Sequence, residues 1–180
     1  VGRTLNVKDF DLNRLFAAEG VQILHLSGLI AALSPETSNF CLELARAAKK
    51  HDTGISFDLN YRATFWLNRE KELSAAFAEI ASLSDILVGN EEDFQLCLGI
   101  KGPEEGGKDL ASKIDSFKEM ISRVKKSFPG ASVFGTTLRQ VISTNEHLWG
   151  AIMLEGENWH VVEPREIHVL DRIGGGDGFV

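Results

Sequence analysis

Apolar residues recur along this chain in two alternating rhythms. Short runs at 21–26, 55–59 and 85–88 are contiguous or alternate in steps of two, which predicts strands. Longer stretches between them carry apolar residues three or four apart. Residues 9–19 form an amphipathic helical segment closed by Gly20. Ser34-Pro35 is a helix start, a capping hydroxyl followed by proline at the first helical position. The helix runs to about Lys50 with Phe40, Leu44, Ala47 and Ala48 on one face. Residues 68–83 repeat the pattern with Leu73, Phe77, Ile80 and Ala81, residues 91–98 form a shorter helix, and 109–128 form a third long one stopped by Pro129-Gly130. A polar, glycine-containing loop at 101–108 separates the last two. Strands alternating with helices predict an α/β domain around a mostly parallel sheet. Beyond Gly130 the rhythm changes. Residues 131–136, 147–154 and 159–162 read as strands, and Glu155-Gly156-Glu157-Asn158 reads as the turn of a C-terminal β-hairpin. Residues 166–170 then lead into the glycines at 174–176.

Composition narrows the picture. A chain of 180 residues with 43% hydrophobic and 25% charged residues suits one globular domain over 1–180. The formal net charge of −7 and the lack of a basic stripe exclude a nucleic-acid-binding role. Lys49, Lys50 and His51 sit at a helix end, where cations suit the dipole. Cys41 and Cys97 fall in helical patterns and read as small buried apolar residues. With no apolar run of membrane-spanning length and no leader, a cytoplasmic protein is expected, with no membrane partner. The chain begins with Val1, so a preceding portion is expected.

In open α/β sheets, ligands sit beyond the carboxyl ends of the strands. Four polar clusters fall at such ends: Ser27-Gly28; Asp58, Asn60 and Arg62; Gly89-Asn90; and Thr136-Thr137-Leu138-Arg139. The loop Gly174-Gly175-Gly176-Asp177 joins them. Bare glycine amides can approach an anion, and the adjoining carboxylate can take a proton from an attacking hydroxyl, which suits phosphoryl transfer. A free aspartate, with a pKa of about 3.9, is a weak base, but it needs only to accept the proton as the new bond forms. Each cluster alone has a plainer reading. The glycines also suit a flexible turn, Asp58 and Arg62 a surface ion pair, and the threonines a strand of high β-propensity. Asn90 with Asp93 suits a helix cap, or lies near a hydrated Mg²⁺, or both. His25 is expected in the core or a pocket, and Trp66, Trp149 and Trp159 are expected to be packing residues. The histidines show no metal-ligand spacing.

Residues 171–179, D-R-I-G-G-G-D-G-F, resemble the C-terminal signature of the ribokinase-like carbohydrate kinases, the PfkB family. Gly89-Asn90-Glu91-Glu92 with Asp93 resembles that family's N-x-x-E motif. His25-Leu26-Ser27-Gly28 and Asp58-Leu59-Asn60-Tyr61-Arg62, with Trp66 following, point within the family to the branch acting on 2-dehydro-3-deoxygluconate. The resemblance implies a three-layer, Rossmann-like fold and ATP-dependent phosphorylation of a primary hydroxyl of a sugar acid, with Mg²⁺. A kinase of a neutral sugar, fructokinase- or ribokinase-like, is the alternative. A noncatalytic binding module of the same fold is another. By resemblance Gly174, Gly175 and Gly176 form an anion hole and Asp177 is the base, facing the acceptor with Arg62. Asn60, Tyr61, Arg62, Asn90, Thr137 and Arg139 meet the nucleotide, and Asn90 and Asp93 hold the metal through water. Asp93 stands where the family usually has Glu, Gly175 where Ala is common, and Arg139 where Gly is frequent. The resemblance also implies an N-terminal sheet portion with a β lid, helices after the glycine loop, and a homo-oligomeric parent. Without lid and helices this chain is expected to expose an apolar sheet face and to be inactive alone.

Overall fold

The computed structural model describes residues 2–103, 110, 113–171, 174–176 and 178–180. The expected helix start at Asp109 and loop residues 104–108 lie outside them. Six strands, β1 (Ile23–Ser27), β2 (Gly54–Asp58), β3 (Ile86–Val88), β4 (Val133–Val141), β5 (Glu146–Glu155) and β6 (Asn158–His168), form one sheet in the order β1-β2-β3-β4-β5-β6. The first four are parallel, and β4, β5 and β6 pair antiparallel. The α-helices are α1 (Gly28–Ala32), α2 (Pro35–Lys50), α3 (Ala63–Trp66), α4 (Glu70–Leu83), α5 (Glu91–Leu98) and α6 (Ile114–Ser127). Both the α/β class and the mostly parallel sheet match the sequence pattern. The segment expected as a helix at 9–19 is split into a 3-10 turn at Val7–Asp9 and a π-wound turn at Arg14–Glu19.

Parallel strands that follow one another in both sequence and space need crossovers, and these are right-handed, so successive helices fall on the same face. The helices accordingly form one layer, α1 on α2, α2 on α4, α4 on α5 and α5 on α6. Strand alternation sends Leu26, Ile55, Phe57, Leu87, Phe134, Leu138 and Ile152 into this layer, and all are buried. They meet Phe40 and Leu44 of α2, Phe77 and Ile80 of α4, Phe94 of α5, and Phe117 and Met120 of α6. Phe57 is fully buried, its ring 5.4 Å from Phe77 in an edge-on contact; burying such a side chain stabilises by about 1.5–3 kcal/mol.

The other face is largely open. Ile23, Met153 and Val162 are exposed on it, Ile23 by 58%. Phe179 covers part of it, its ring lying over Gly135 beside Val88. His25 also stands exposed on this face, bonded to Ser56 Oγ at 3.2 Å. That corrects its expected place in the core or a pocket: alternation along β1 gives the helix-covered side to Leu24 and Leu26.

The three C-terminal strands outrun their expected lengths. β4 continues through Thr137 and Arg139 to Val141 because β5 supplies hydrogen-bond partners beyond the end of β3. β6 runs on through Pro164, tolerated because β6 is an edge strand and proline's missing amide removes no ladder bond there. Opposite Gly150 the register slips. Ala151 pairs with Val162 but Trp149 pairs with Arg165, which leaves an extra residue on β6 as a bulge.

Gly28, at the junction of β1 and α1, makes the closest approach in the core. A Cβ there would overlap the Leu59 carbonyl oxygen and crowd the Phe77 ring at 2.6 Å. Gly28→Ala is therefore expected to cost about 3 kcal/mol of stability, measured by urea unfolding; a loss under about 1 kcal/mol would show that the junction can relax.

Candidate active site

The loops after β2, β3 and the glycine-rich segment converge at the carboxyl end of the parallel strands. Asp58 ends β2 and the chain turns at once. Asn60 takes the left-handed conformation, φ 41°, which asparagine tolerates better than most residues. Its Nδ2 donates to Asp58 Oδ2 at 3.1 Å and to Ser27 Oγ at 3.4 Å, tying the ends of β1 and β2 together. Tyr61 turns its ring away to pack on Trp66 at 5.3 Å. The Nη1 of Arg62 donates to the Tyr61 carbonyl at 2.6 Å.

After β3, Asn90 caps α5. Its Oδ1 accepts from the Asp93 amide at 2.8 Å, and Asp93 Oδ2 accepts from the Asn90 amide at 2.8 Å, a reciprocal capping box. The other oxygen of Asp93, Oδ1, accepts from the Tyr61 amide at 2.9 Å. One carboxylate thus joins the loop after β2 to the start of α5. Two amide donors favour its ionised form, but burial outweighs them, and the nearby Asp58 charge adds to the effect. The carboxyl is pushed from an ordinary 3.8 up to about 6, with Arg62 opposing.

Two cavities open here. The smaller, about 300 Å³, is lined by Asp58, Asn60, Arg62, Gly89, Asn90, Asp93, Thr137 and the glycines 174, 175 and 176, with Phe179 and Val180 at its side. The larger, about 1060 Å³, lies on the open face of the β4-β5-β6 extension. Thr137, Arg139, Trp149 and Arg165 lie along its strands, with Val141 and Ile167 further out and Asn90, Glu91, Val169 and Asp171 around them. Arg62, Asn90, Thr137, Gly175 and Gly176 belong to both. The glycine segment bends back on itself, the Gly178 amide donating to the Gly174 carbonyl at 2.9 Å and the Phe179 amide to the Gly176 carbonyl at 2.9 Å. Gly174 sits at φ 77°, a conformation that side chains rarely adopt.

Of the residues singled out from sequence, Asn60, Arg62, Asn90, Asp93, Thr137, Arg139, Gly174, Gly175 and Gly176 line these cavities. Tyr61 does not line either and enters through its backbone amide. Asp177 lies outside the described residues, as do Arg172 and Ile173 of the same motif. Sequence reasoning missed Arg165 and set Trp149 down as packing. Trp149 instead lines the large cleft, a correction that β4–β5 register alone could have supplied. Arg165 was hidden because the last strand was expected to stop at Val162. Cys41 and Cys97 are buried as expected, and burial drives the Cys41 thiol up to about 12 and the Cys97 thiol further, so neither is a nucleophile. Among the described residues no cluster of three or more acidic, histidine or cysteine side chains is disposed to bind a metal directly, and no helix is long and apolar enough to cross a membrane.

The chain that builds this site is similar to known proteins in sequence and in fold. The family described as pfkB family carbohydrate kinase matches residues 4–180, and the chain belongs to it. The chain is 28% identical to a 5-dehydro-2-deoxygluconokinase of Clostridium tetani over 157 residues, 86% of this chain and 40% of that protein. A crystal structure of 2-dehydro-3-deoxygluconokinase from Thermotoga maritima superimposes with a TM-score of 0.84 at 27% identity, covering 97% of this chain and 50% of that one. A sugar kinase of Pyrococcus horikoshii solved with ATP, 18% identical, shares the fold at a TM-score of 0.65 over 97% of this chain and 46% of its own. The chain spans about half the length of the relatives it matches. The ribokinase-like fold expected from the signature is thereby established.

The raised pKa of Asp93 has a definite sign. The native state binds this proton more tightly than the unfolded chain, so the group's stabilising contribution is full below about pH 4 and is lost as the pH rises through about 6. The stability difference of wild type over Asp93→Asn is expected to shrink between pH 4 and pH 7 in urea melts; a difference that widens with pH would contradict the assignment.

Proposed function

We propose that the protein carrying this chain transfers the γ-phosphoryl group of ATP to a primary hydroxyl of a dehydro-deoxygluconate, with 2-dehydro-3-deoxygluconate as the acceptor. The observation that carries this reading is the pair of cavities with a common wall. A phosphoryl donor and an acceptor need separate compartments that meet where the group passes. Here they meet at Gly175, Gly176, Thr137, Asn90 and Arg62. The larger compartment takes the nucleotide, against Thr137 and Arg139. The smaller takes the end of the sugar acid that reacts.

Catalysis of phosphoryl transfer is mostly positioning and charge stabilisation. The amides of Gly174, Gly175 and Gly176 stabilise charge developing on the transferred group, since no side chain keeps them from close approach. Asp177, next in the chain after Gly176, takes the proton from the attacking hydroxyl. Arg62 reaches both cavities and can hold a phosphate or the acid's carboxylate through its fork. Asn60 and Tyr61 support the same loop. The residues fit a hydrated Mg²⁺ rather than a directly caged one: Asp58, Asn90 and Asp93 line the small cavity, and two neighbouring carboxylates favour a cation. Asp93 already accepts two amides, so its share is through water. When bound, the ion supplies neutralisation of phosphate charge.

A second acceptor, 5-dehydro-2-deoxygluconate, is favoured by the names of the Clostridium tetani and Clostridium perfringens relatives. The two acids belong to one chemical class and call for the same base and anion hole. The test is ATP-dependent phosphorylation by the complete protein, with both acids, fructose and ribose offered side by side. Preference for 2-dehydro-3-deoxygluconate is expected. Asp177→Asn should lower turnover by about a hundred- to ten-thousand-fold with nucleotide affinity retained. Preference for a neutral sugar would overturn the acceptor, and ATP binding with no transfer to any of the four would favour a noncatalytic module.

A further inference from the structure

One row of side chains crosses three strands on the floor of the larger cleft: Arg139 on β4, Trp149 on β5 and Arg165 on β6. Backbone register places them side by side, Arg139 opposite Trp149 and Trp149 opposite Arg165. The guanidinium carbon of Arg139 lies over the Trp149 ring, 5.8 Å from its centroid, a contact that attracts and orients the cation.

Arg165 reaches this row only because of the bulge. Counted back from the hairpin turn, regular alternation would set Arg165 opposite Leu148, on the helix-covered face. The extra residue at Glu163-Pro164 opposite Gly150 shifts the count by one and turns Arg165 to the cleft. Gly150 permits the bulge, since a Cβ there would strike the Val162 carbonyl oxygen and the Pro164 backbone. With Arg62, three arginines among the described residues line this one cleft, against the carboxylates of Glu91 and Asp171, in a protein of net charge −7. No lysine is among the described lining residues. Arginine is the side chain whose planar fork binds phosphate oxygens two at a time.

We infer that Arg139, Trp149 and Arg165 form a polyphosphate rail, in which the two guanidiniums grip the phosphate tail of the nucleotide and Trp149 is a positioning residue that holds Arg139. This rests on the larger cleft being the nucleotide compartment. It adds which groups hold the tail and what holds Arg139 in place.

The test is calorimetric binding of ADP, AMP and adenosine to the complete protein and its variants. Arg139→Gly and Arg165→Met should each weaken ADP by roughly ten- to a hundredfold while adenosine changes less than about twofold. Trp149→Leu should follow Arg139→Gly, and Trp149→Phe, which keeps a ring under the cation, should restore most of the affinity. Arg139→Lys and Arg165→Lys keep charge without the fork and should give intermediate losses, and they serve if the larger changes disturb folding. Equal weakening of ADP and adenosine, or none, overturns the rail. So does a raised KM for the sugar acid with ADP affinity unchanged, which would assign the guanidiniums to the acceptor. A wild-type protein that binds none of the three ligands overturns the kinase reading and the rail together, whereas normal nucleotide binding in every variant overturns the rail alone.

Discussion

Four parallel strands laid down in sequence order, joined by three crossovers that are right-handed by rule, force the helices described between them onto one side of the sheet. The other consequences follow from that constraint. One face gathers the core, with Phe57, Phe77, Phe94, Phe117 and Phe134 all buried, and the other stays open. The turns that lead into the helices all gather at one end of the sheet, so Ser27, Asp58 and Asn90 arrive together. Where β4 outlasts β3 and pairs with β5 instead, the open face becomes the floor of the larger cleft.

Within that frame the local chemistry is decided by competition between burial and hydrogen bonding. At Asp93 burial wins and the carboxyl is raised to about 6, although two amides hold it. Asp93 thus spends both oxygens on joining two loops. On the strands, geometry outweighs propensity. A proline that would end a central strand is harmless at the sheet edge, and the bulge it accompanies changes which face Arg165 belongs to.

The match to the pfkB family of carbohydrate kinases spans the glycine turn and the polar strand ends alike. The chain spans about half the length of its relatives, and the two cavities described above are formed by its own sheet and loops. Their shared wall is contributed by four separate segments, Arg62, Asn90, Thr137 and the two glycines. Any displacement of one loop against another is felt in both compartments.

Much was legible before the fold was seen, where the physics is local. The Ser34-Pro35 helix start, the Asn90–Asp93 cap, the buried stripes of α2 and α4, and the turn at Gly156 depend on residues a few positions apart. The strand-end clusters were legible too, because the parallel α/β pattern says at which end they gather. Other features depend on partners distant in sequence. β4 and β6 extend because neighbouring strands accept their hydrogen bonds. His25 is exposed because none of the described elements packs over it. Trp149 meets Arg139 through register, and Arg165 faces the cleft through a one-residue slip. Sequence by itself determined most of the elements, the family and most of the polar groups of the candidate site, since periodicity and motif are written in consecutive residues. Only the tertiary structure decided which face each strand residue occupies and which loops share a cavity, because those depend on pairing between segments whose register no local pattern encodes.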